Sequence, residues 1–223
     1  MKILVVAAHP DDEILGIGGT IARHAEAGDT VEMLILATGS TSRDDHQGDD
    51  ALAELQDHAR KAAACLGAQP PRFGGLPDNK MDSLALLDVI KVVEAVVNEV
   101  QPDVIYTHWP NDLNVDHGVT CRAVLTAARP LPGAKTKAIY AFETLSSSEW
   151  SLYGDARAFA PNRFVDISAT LEKKLAALDC YKGEMRDFPH PRSLKAVRSL
   201  AEVRGSTAGL MAAEGLMVLR EVV

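Results

Sequence analysis

The chain has 223 residues, 47% of them hydrophobic, and carries 31 acidic against 23 basic residues for a formal net charge of −8. That length and apolar content suit a single domain, 1–223, with a full core and no linker. The basic residues are scattered, which argues against a nucleic-acid or anionic membrane surface as the main partner, and no apolar run reaches the length of a membrane span.

The first predicted element is a strand, Leu4-Val5-Val6-Ala7-Ala8, whose unbroken apolar character marks it as buried on both faces. It runs straight into His9-Pro10-Asp11-Asp12-Glu13. Carboxylates this close repel one another, so they are either well solvated or held by a cation. A helix over Ile14–Ala27, stopped by Gly28, and a second strand, Val31–Thr38, complete a βαβ unit and predict a parallel sheet. Gly39–Asp50 is a polar loop on the same rim as His9. Helices are predicted over Ala51–Leu66 and Leu84–Val100, the latter capped by Asp82 or Ser83, with a short strand, Arg72–Leu76, between them.

A third core strand, Val104–Thr107, also ends in a histidine, His108, and is followed by the polar cluster Trp109–Gly118 and a helix from Val119 to Arg129. Ligands in open α/β sheets bind outside the carboxyl ends of the strands, and two such ends here carry histidine and aspartate. Further strands are predicted over Lys137–Glu143 and Arg163–Ile167, and helices over Ala169–Tyr181 and Ser193–Arg204. The tail, Ala213–Leu219, is expected to close the sheet edge. Cys65, Cys121 and Cys180 follow no metal or disulfide spacing and read as reduced thiols. With no signal-peptide pattern, a cytoplasmic protein is expected.

A hydrolytic zinc site uses three His, Asp or Glu ligands and keeps one position open. His9 and Asp12 lie one tight turn apart, and His117 can supply the third donor. Asp11 would then be free as general base, near a water whose pKa the metal lowers. The competing reading is that Asp11, Asp12 and Glu13 simply cap the first helix, where its dipole favours carboxylates.

The run Ala8-His9-Pro10-Asp11-Asp12-Glu13 followed by Gly18-Gly19, together with Asn114-Val115-Asp116-His117-Gly118, resembles the PIG-L/LmbE-type zinc-dependent N-deacetylase family. Weaker likenesses occur around Glu54 and Arg60 and at Arg204-Gly205 with Ala213-Glu214. The resemblance implies a Rossmann-like α/β fold, a mostly parallel sheet with helices on both faces. It also implies one Zn2+ per chain on His9, Asp12 and His117, Asp11 as base, and hydrolysis of the N-acetyl group of a small amino-sugar conjugate. Other divalent metals suit the same donors, and a homo-oligomer is compatible.

Many members carry a histidine where this chain has Asn114. An asparagine amide can donate to an oxyanion but cannot shuttle a proton. The leaving amine would then take its proton from Asp11, His108 or His190. Asp116 either orients a neighbour or caps the following helix. Arg43 resembles a substrate-contacting arginine of the family. Asp78 and Asn79 suit sugar hydroxyls or a plain turn, Glu143 sits at a strand end, and His190 stands between two prolines near the expected mouth. The alternatives are a metal-dependent phosphoester hydrolase, with Asp112 and His108 serving a second ion, and a non-catalytic nucleotide- or sugar-binding module. The latter is suggested by Gly16-Ile17-Gly18-Gly19, although Ile21 breaks the dinucleotide fingerprint.

Overall fold

A computed structural model describes residues 1–37, 49–151 and 158–223, with the side chains of residues 49 and 50 excluded. In chain order the elements are β1 (Lys2–Ala7), α1 (Asp12–Glu26), β2 (Thr30–Ala37), α2 (Asp49–Leu66), β3 (Arg72–Leu76), α3 (Leu86–Val100), β4 (Val104–His108), α4 (Val115–Ala127), β5 (Ala138–Phe142), β6 (Arg163–Asp166), α5 (Leu171–Asp179), α6 (Leu194–Ala208) and β7 (Ala213–Glu221). The strands form one sheet in the order β3-β2-β1-β4-β5-β7-β6. The first five strands of that order pair in parallel, and β7 runs antiparallel to both of its neighbours.

The expected α/β architecture is therefore present. Alternation along β1 divides the core: Ile3 and Val5 join Ile14, Leu66, Leu171 and Val197 on one face, while Leu4 and Val6 join Val89, Val93 and Val124 on the other. Each such side chain, fully buried, contributes about 1.5–3 kcal/mol. Helices cover both faces, which is why the strand reads as a continuous apolar run rather than an alternating one.

After β3 the chain crosses back through α3 to lay β4 on the other side of β1. The strand order reverses there, so the carboxyl ends of β1 and β4 flank the crevice in which this class of sheet binds ligands.

Three local expectations are corrected. The tail does not close the sheet: β7 is inserted between β5 and β6, and the four-residue β6 is the edge. A short edge strand carrying Arg163 and Asp166 discourages pairing with another chain. α4 begins at Val115, and its N-cap is Asn114, whose side chain accepts from the Asp116 N–H at 2.9 Å, so Asp116 is not the cap. Neither Asp82 nor Ser83 caps α3; they lie in a 3-10 turn, Met81–Ser83, and the cap position is Ala85. Met81 is buried, and its N–H donates to Asp116 Oδ1 at 3.0 Å, which pins the turn before the helix can start.

The Gly16–Gly19 run lies inside α1, not in a phosphate-binding loop. A Cβ on Gly16 would stand 2.3 Å from the Phe142 ring, and one on Gly19 would stand 2.7 Å from Ile167. The glycines serve close packing, which removes the feature that suggested a nucleotide-binding module.

Candidate metal centre

β1 delivers His9 to the rim, and the next turn is strained. Asp11 has φ 96°, a left-handed conformation that is costly for a residue with a side chain and that collects at functional sites. It lets three consecutive carboxylates, Asp11, Asp12 and Glu13, turn inward, all of them buried. Simple capping does not account for them, because Asp11 occupies the N-cap position of α1 yet makes no side-chain cap hydrogen bond. Glu13 accepts from the Asp11 N–H at 3.1 Å and from the Tyr181 hydroxyl at 2.6 Å. Burial raises its pKa to about 7, against the opposing hydrogen bond from Tyr181.

Asp12 Oδ2 faces two candidate ligand imidazoles, with His108 Nε2 a third at 3.4 Å. His9 Nδ1 lies 3.1 Å away and His117 Nε2 3.2 Å away. Behind each ring stands another carboxylate: Asp116 Oδ2 is 3.1 Å from His9 Nε2, and Asp112 Oδ1 is 3.1 Å from His117 Nδ1. Asp112 is held in turn by the hydroxyls of Ser147 and Ser148. Carboxylates in this position fix the tautomer of a metal-ligating histidine and leave the other nitrogen for the ion.

The donor set fits a divalent cation. Donor atoms of His9, Asp12 and His117 all lie within 4.8 Å of one another. Asp12 Oδ1 and both ring nitrogens of His117 are buried without a well-directed hydrogen bond, even though carboxylate oxygens lie close to the ring. Orphaned polar atoms are rare in interiors and point to a missing partner. Electrostatics agree. Burial opposes protonation of His9, but Asp116 and Asp12 outweigh it and raise its pKa to about 10. Burial likewise opposes protonation of His117, and Asp12 and Asp112 raise its pKa to about 9. The carboxylates demand positive charge between the rings, and a bound metal would supply it while releasing those protons. A second group, His9, Asp78 and Asp116, also lies within reach of an ion. It shares His9 with the first group, and Asp116 Oδ1 is already taken by the Met81 N–H.

His108 stacks on His117 with ring centroids 3.8 Å apart, accepts from the Ala8 N–H at 2.9 Å and is fully buried. Burial, reinforced by the neighbouring His117, holds its pKa well below the usual range. It is a packing element against the centre and does not line the cavity, which a substrate contact or proton donation to the leaving amine would require. Glu143 is also elsewhere: it forms a bidentate pair with Arg204 at 2.8 and 2.7 Å and faces a neighbouring pocket beside Trp109. Arg43 lies outside the described residues.

The cavity over the centre has a volume of about 290 Å³. Asp78, Asn79 and Asn114 form one wall, and the Asn114 Nδ2 donates to Asn79 Oδ1 at 2.9 Å. The segment 184–192 supplies a second wall, where His190 Nδ1 accepts the Arg192 N–H at 3.0 Å. Sequence reasoning missed the other residues of that wall, Glu184, Arg186 and Arg192, and also Ser146 and the role of Asp112. Arg192 Nη1 donates to Asp11 Oδ2 at 2.8 Å, while Asp11 Oδ1 is buried and unpaired. Burial pushes the Asp11 pKa well up, and the Arg192 cation works against that rise. The rigid Pro189-His190-Pro191 segment next to an arginine was the available signal for this wall.

A model of the PIG-L family, described as GlcNAc-PI de-N-acetylase, matches residues 4–128. The chain is 28% identical over 188 residues to a probable N-acetyl-alpha-D-glucosaminyl L-malate deacetylase 2 of Bacillus cereus, covering 82% of this chain and 83% of that protein. It is also 28% identical over 236 residues to a 4-oxalmesaconate hydratase of Pseudomonas putida, covering 96% of this chain and 87% of that protein. Among solved structures, a 4-carboxy-2-hydroxymuconate hydratase of Pseudomonas putida superposes with a TM-score of 0.80 at 25% identity, over 100% of this chain and 97% of that one. The N,N'-diacetylchitobiose deacetylase of Pyrococcus horikoshii shares the fold with a TM-score of 0.80 at 21% identity, over 98% and 84%. Among the described residues, no helix is long and apolar enough to cross a membrane.

Proposed function

The chain belongs to the PIG-L family, and from that premise we propose that it is a metal-dependent hydrolase removing the N-acetyl group from a small amino-sugar conjugate, with His9, Asp12 and His117 holding one divalent cation. Two imidazoles, one carboxylate and an open position suit a hydrolytic zinc ion. The observation that most supports this reading is the pairing of orphaned donor atoms on Asp12 and His117 with an unpaired carboxylate oxygen on Asp11 beside them. A bound zinc ion would supply Lewis acidity toward the acetamide carbonyl and bring the pKa of a water toward neutrality.

The chain's own residues do the rest. Asp11 Oδ1 takes the proton of the water that attacks the carbonyl carbon, then gives it to the amine as the C–N bond breaks and acetate leaves. This assigns both proton transfers to Asp11, since Asn114 has no proton to exchange. The Asn114 amide donates to the oxygen on which negative charge develops. Asp116 and Asp112 hold the two imidazole tautomers, Asp78 and Asn79 meet sugar hydroxyls, and His190 lines the mouth. Release of acetate and free amine from a panel of N-acetylglucosaminides tests the proposal, using metal-stripped and zinc-restored protein. Equal activity in the two preparations would reject it.

A second reading has its own support. Two of the relatives above are named hydratases, and Arg186, His190 and Arg192 line one wall of the cavity. Such a wall suits an unsaturated polycarboxylate to which water is added. Loss of the conjugated chromophore of an oxo-dicarboxylate, with no acetate release from the sugar panel, would favour it. A phosphoester hydrolase would need a second ion, and the second donor group shares His9 with the first. Metal analysis giving two ions per chain would be its mark.

A further inference from the structure

Asp11 and Ser146 are both non-glycine residues held at positive φ, 96° and 65°, and both reach one guanidinium. Arg192 Nη1 donates to Asp11 Oδ2 at 2.8 Å, and Arg192 Nε donates to Ser146 Oγ at 2.7 Å. Asp11 follows β1, Ser146 follows β5, and Arg192 lies just before α6, so one side chain ties three loops together across the cavity. Backbone strain of this kind persists only where the surroundings over-determine it. Arg192 is itself braced: its N–H donates to His190 Nδ1 at 3.0 Å, its carbonyl accepts the Arg186 N–H at 3.3 Å, and Glu184 Oε2 lies 3.7 Å from Nη1.

The consequence for Asp11 is geometric. With Oδ2 engaged, Oδ1 is left buried and unpaired, on a residue that lines the cavity. A carboxylate with no such partner would rotate between several hydrogen-bonding arrangements. The planar guanidinium prevents this, because its Nε and Nη1 donors diverge at a fixed angle and serve Ser146 and Asp11 at once. A lysine ammonium has no comparable fork.

We infer that Arg192 is a positioning residue, which locks the Asp11 carboxylate in one orientation so that Oδ1 alone exchanges the proton with the attacking water and the leaving amine. The inference rests on the deacetylase reading, and its structural half can be judged without it.

Zinc-loaded wild type, R192Q, R192K, R192A and S146A are compared on an N-acetylglucosaminide that the wild type hydrolyses. Misplacing a base predicts that R192Q loses kcat on the order of 100-fold while KM stays within about threefold, with zinc content unchanged. R192K recovers only part of the loss, S146A loses less than R192Q, and millimolar guanidinium partly restores kcat in R192A. An unchanged kcat, or a loss confined to KM as expected for a residue that binds substrate, would overturn the inference. Crystal structures of zinc-loaded wild type and R192Q judge the clamp without substrate. The Asp11 carboxylate is expected to rotate, or its φ to relax, in R192Q, and an unmoved Asp11 would overturn the inference as well. A wild type that releases no acetate from any glucosaminide defeats the deacetylase reading instead, and the two structures then decide the clamp alone.

Discussion

Two buried carboxylates near α1, Glu214 and Asp12, solve the same electrostatic problem in opposite ways. α1 is broken at Ile17 (φ −138°, ψ 26°), and Glu214 fills the break. Its Oε2 accepts from the Thr20 N–H at 2.7 Å and the Thr20 hydroxyl at 2.6 Å, and its Oε1 accepts from the Gly19 N–H at 2.9 Å and Lys174 Nζ at 2.6 Å. Every need of that carboxylate is met by the chain. Asp12 also accepts a backbone N–H, from His9 at 2.9 Å, but its other oxygen is orphaned and the imidazoles of His9 and His117 are left to carry the balancing charge. A self-sufficient buried charge is a structural joint. A buried charge left incomplete is a place for something from outside.

The comparison breaks most sharply at the candidate metal centre. His117→Ala is expected to lose metal and turnover together, whereas Asp11→Asn keeps near-stoichiometric zinc and loses turnover by about 10²–10⁴-fold, the usual worth of a general base. Metal analysis beside acetate release checks both, and full activity in Asp11→Asn would remove Asp11 from the mechanism. The opposite pattern is expected at the joint. Glu214→Ala leaves the Lys174 ammonium buried without its carboxylate and costs about 3–5 kcal/mol of stability. Urea denaturation reads that loss, and zinc affinity in the variant, measured where it is still folded, should stay near the wild-type value.

Smaller effects sharpen the contrast. Asp112→Asn removes the carboxylate behind His117 and is expected to weaken zinc binding about 10–100-fold without unfolding the protein. Calorimetric titration checks this, and unchanged affinity would mean that Asp112 serves only the serine turn.

A further effect is one of pH. In metal-free protein the His9 and His117 pKa values are raised to about 10 and about 9, above the ordinary imidazole value of 6.5. A raised folded-state pKa stabilises fully below the unfolded value and loses that contribution as pH rises through the folded one. Metal-free protein should therefore lose stability between about pH 6.5 and 10 through these two groups. Zinc-loaded protein, whose imidazoles are already deprotonated, should not. Thermal melts of both forms across that window check the sign.

Much of the sheet is legible in the chain because its signals are local. The predicted strand Arg72–Leu76 is the observed β3, and the strand predicted from Val104 is observed as β4, which runs to His108. Both are short apolar or glycine-bearing runs between clear breakers. The start of α4 was less legible, since Asn114-Val115-Asp116-His117 reads as polar loop until the Asn114 cap is seen in place. At the site, His9 and Asp12 are one turn apart and could be paired by spacing. Glu143 looked like a rim residue because it follows β5, yet Arg204 draws it into a bidentate pair away from the cavity.

By itself, the sequence determined the parallel core strands, the charged knot His9–Glu13 at the end of the first of them, and a partner histidine on a second polar cluster, because hydrophobic runs and tight turns are set by neighbours in the chain. Only the tertiary structure decided which carboxylate stands behind which imidazole, that β7 sits inside the sheet, and that Asp11 is held by Arg192, 181 residues away. The physical reason is that a buried charge must find its counter-charge in space, and sequence spacing carries no record of where the fold will bring it.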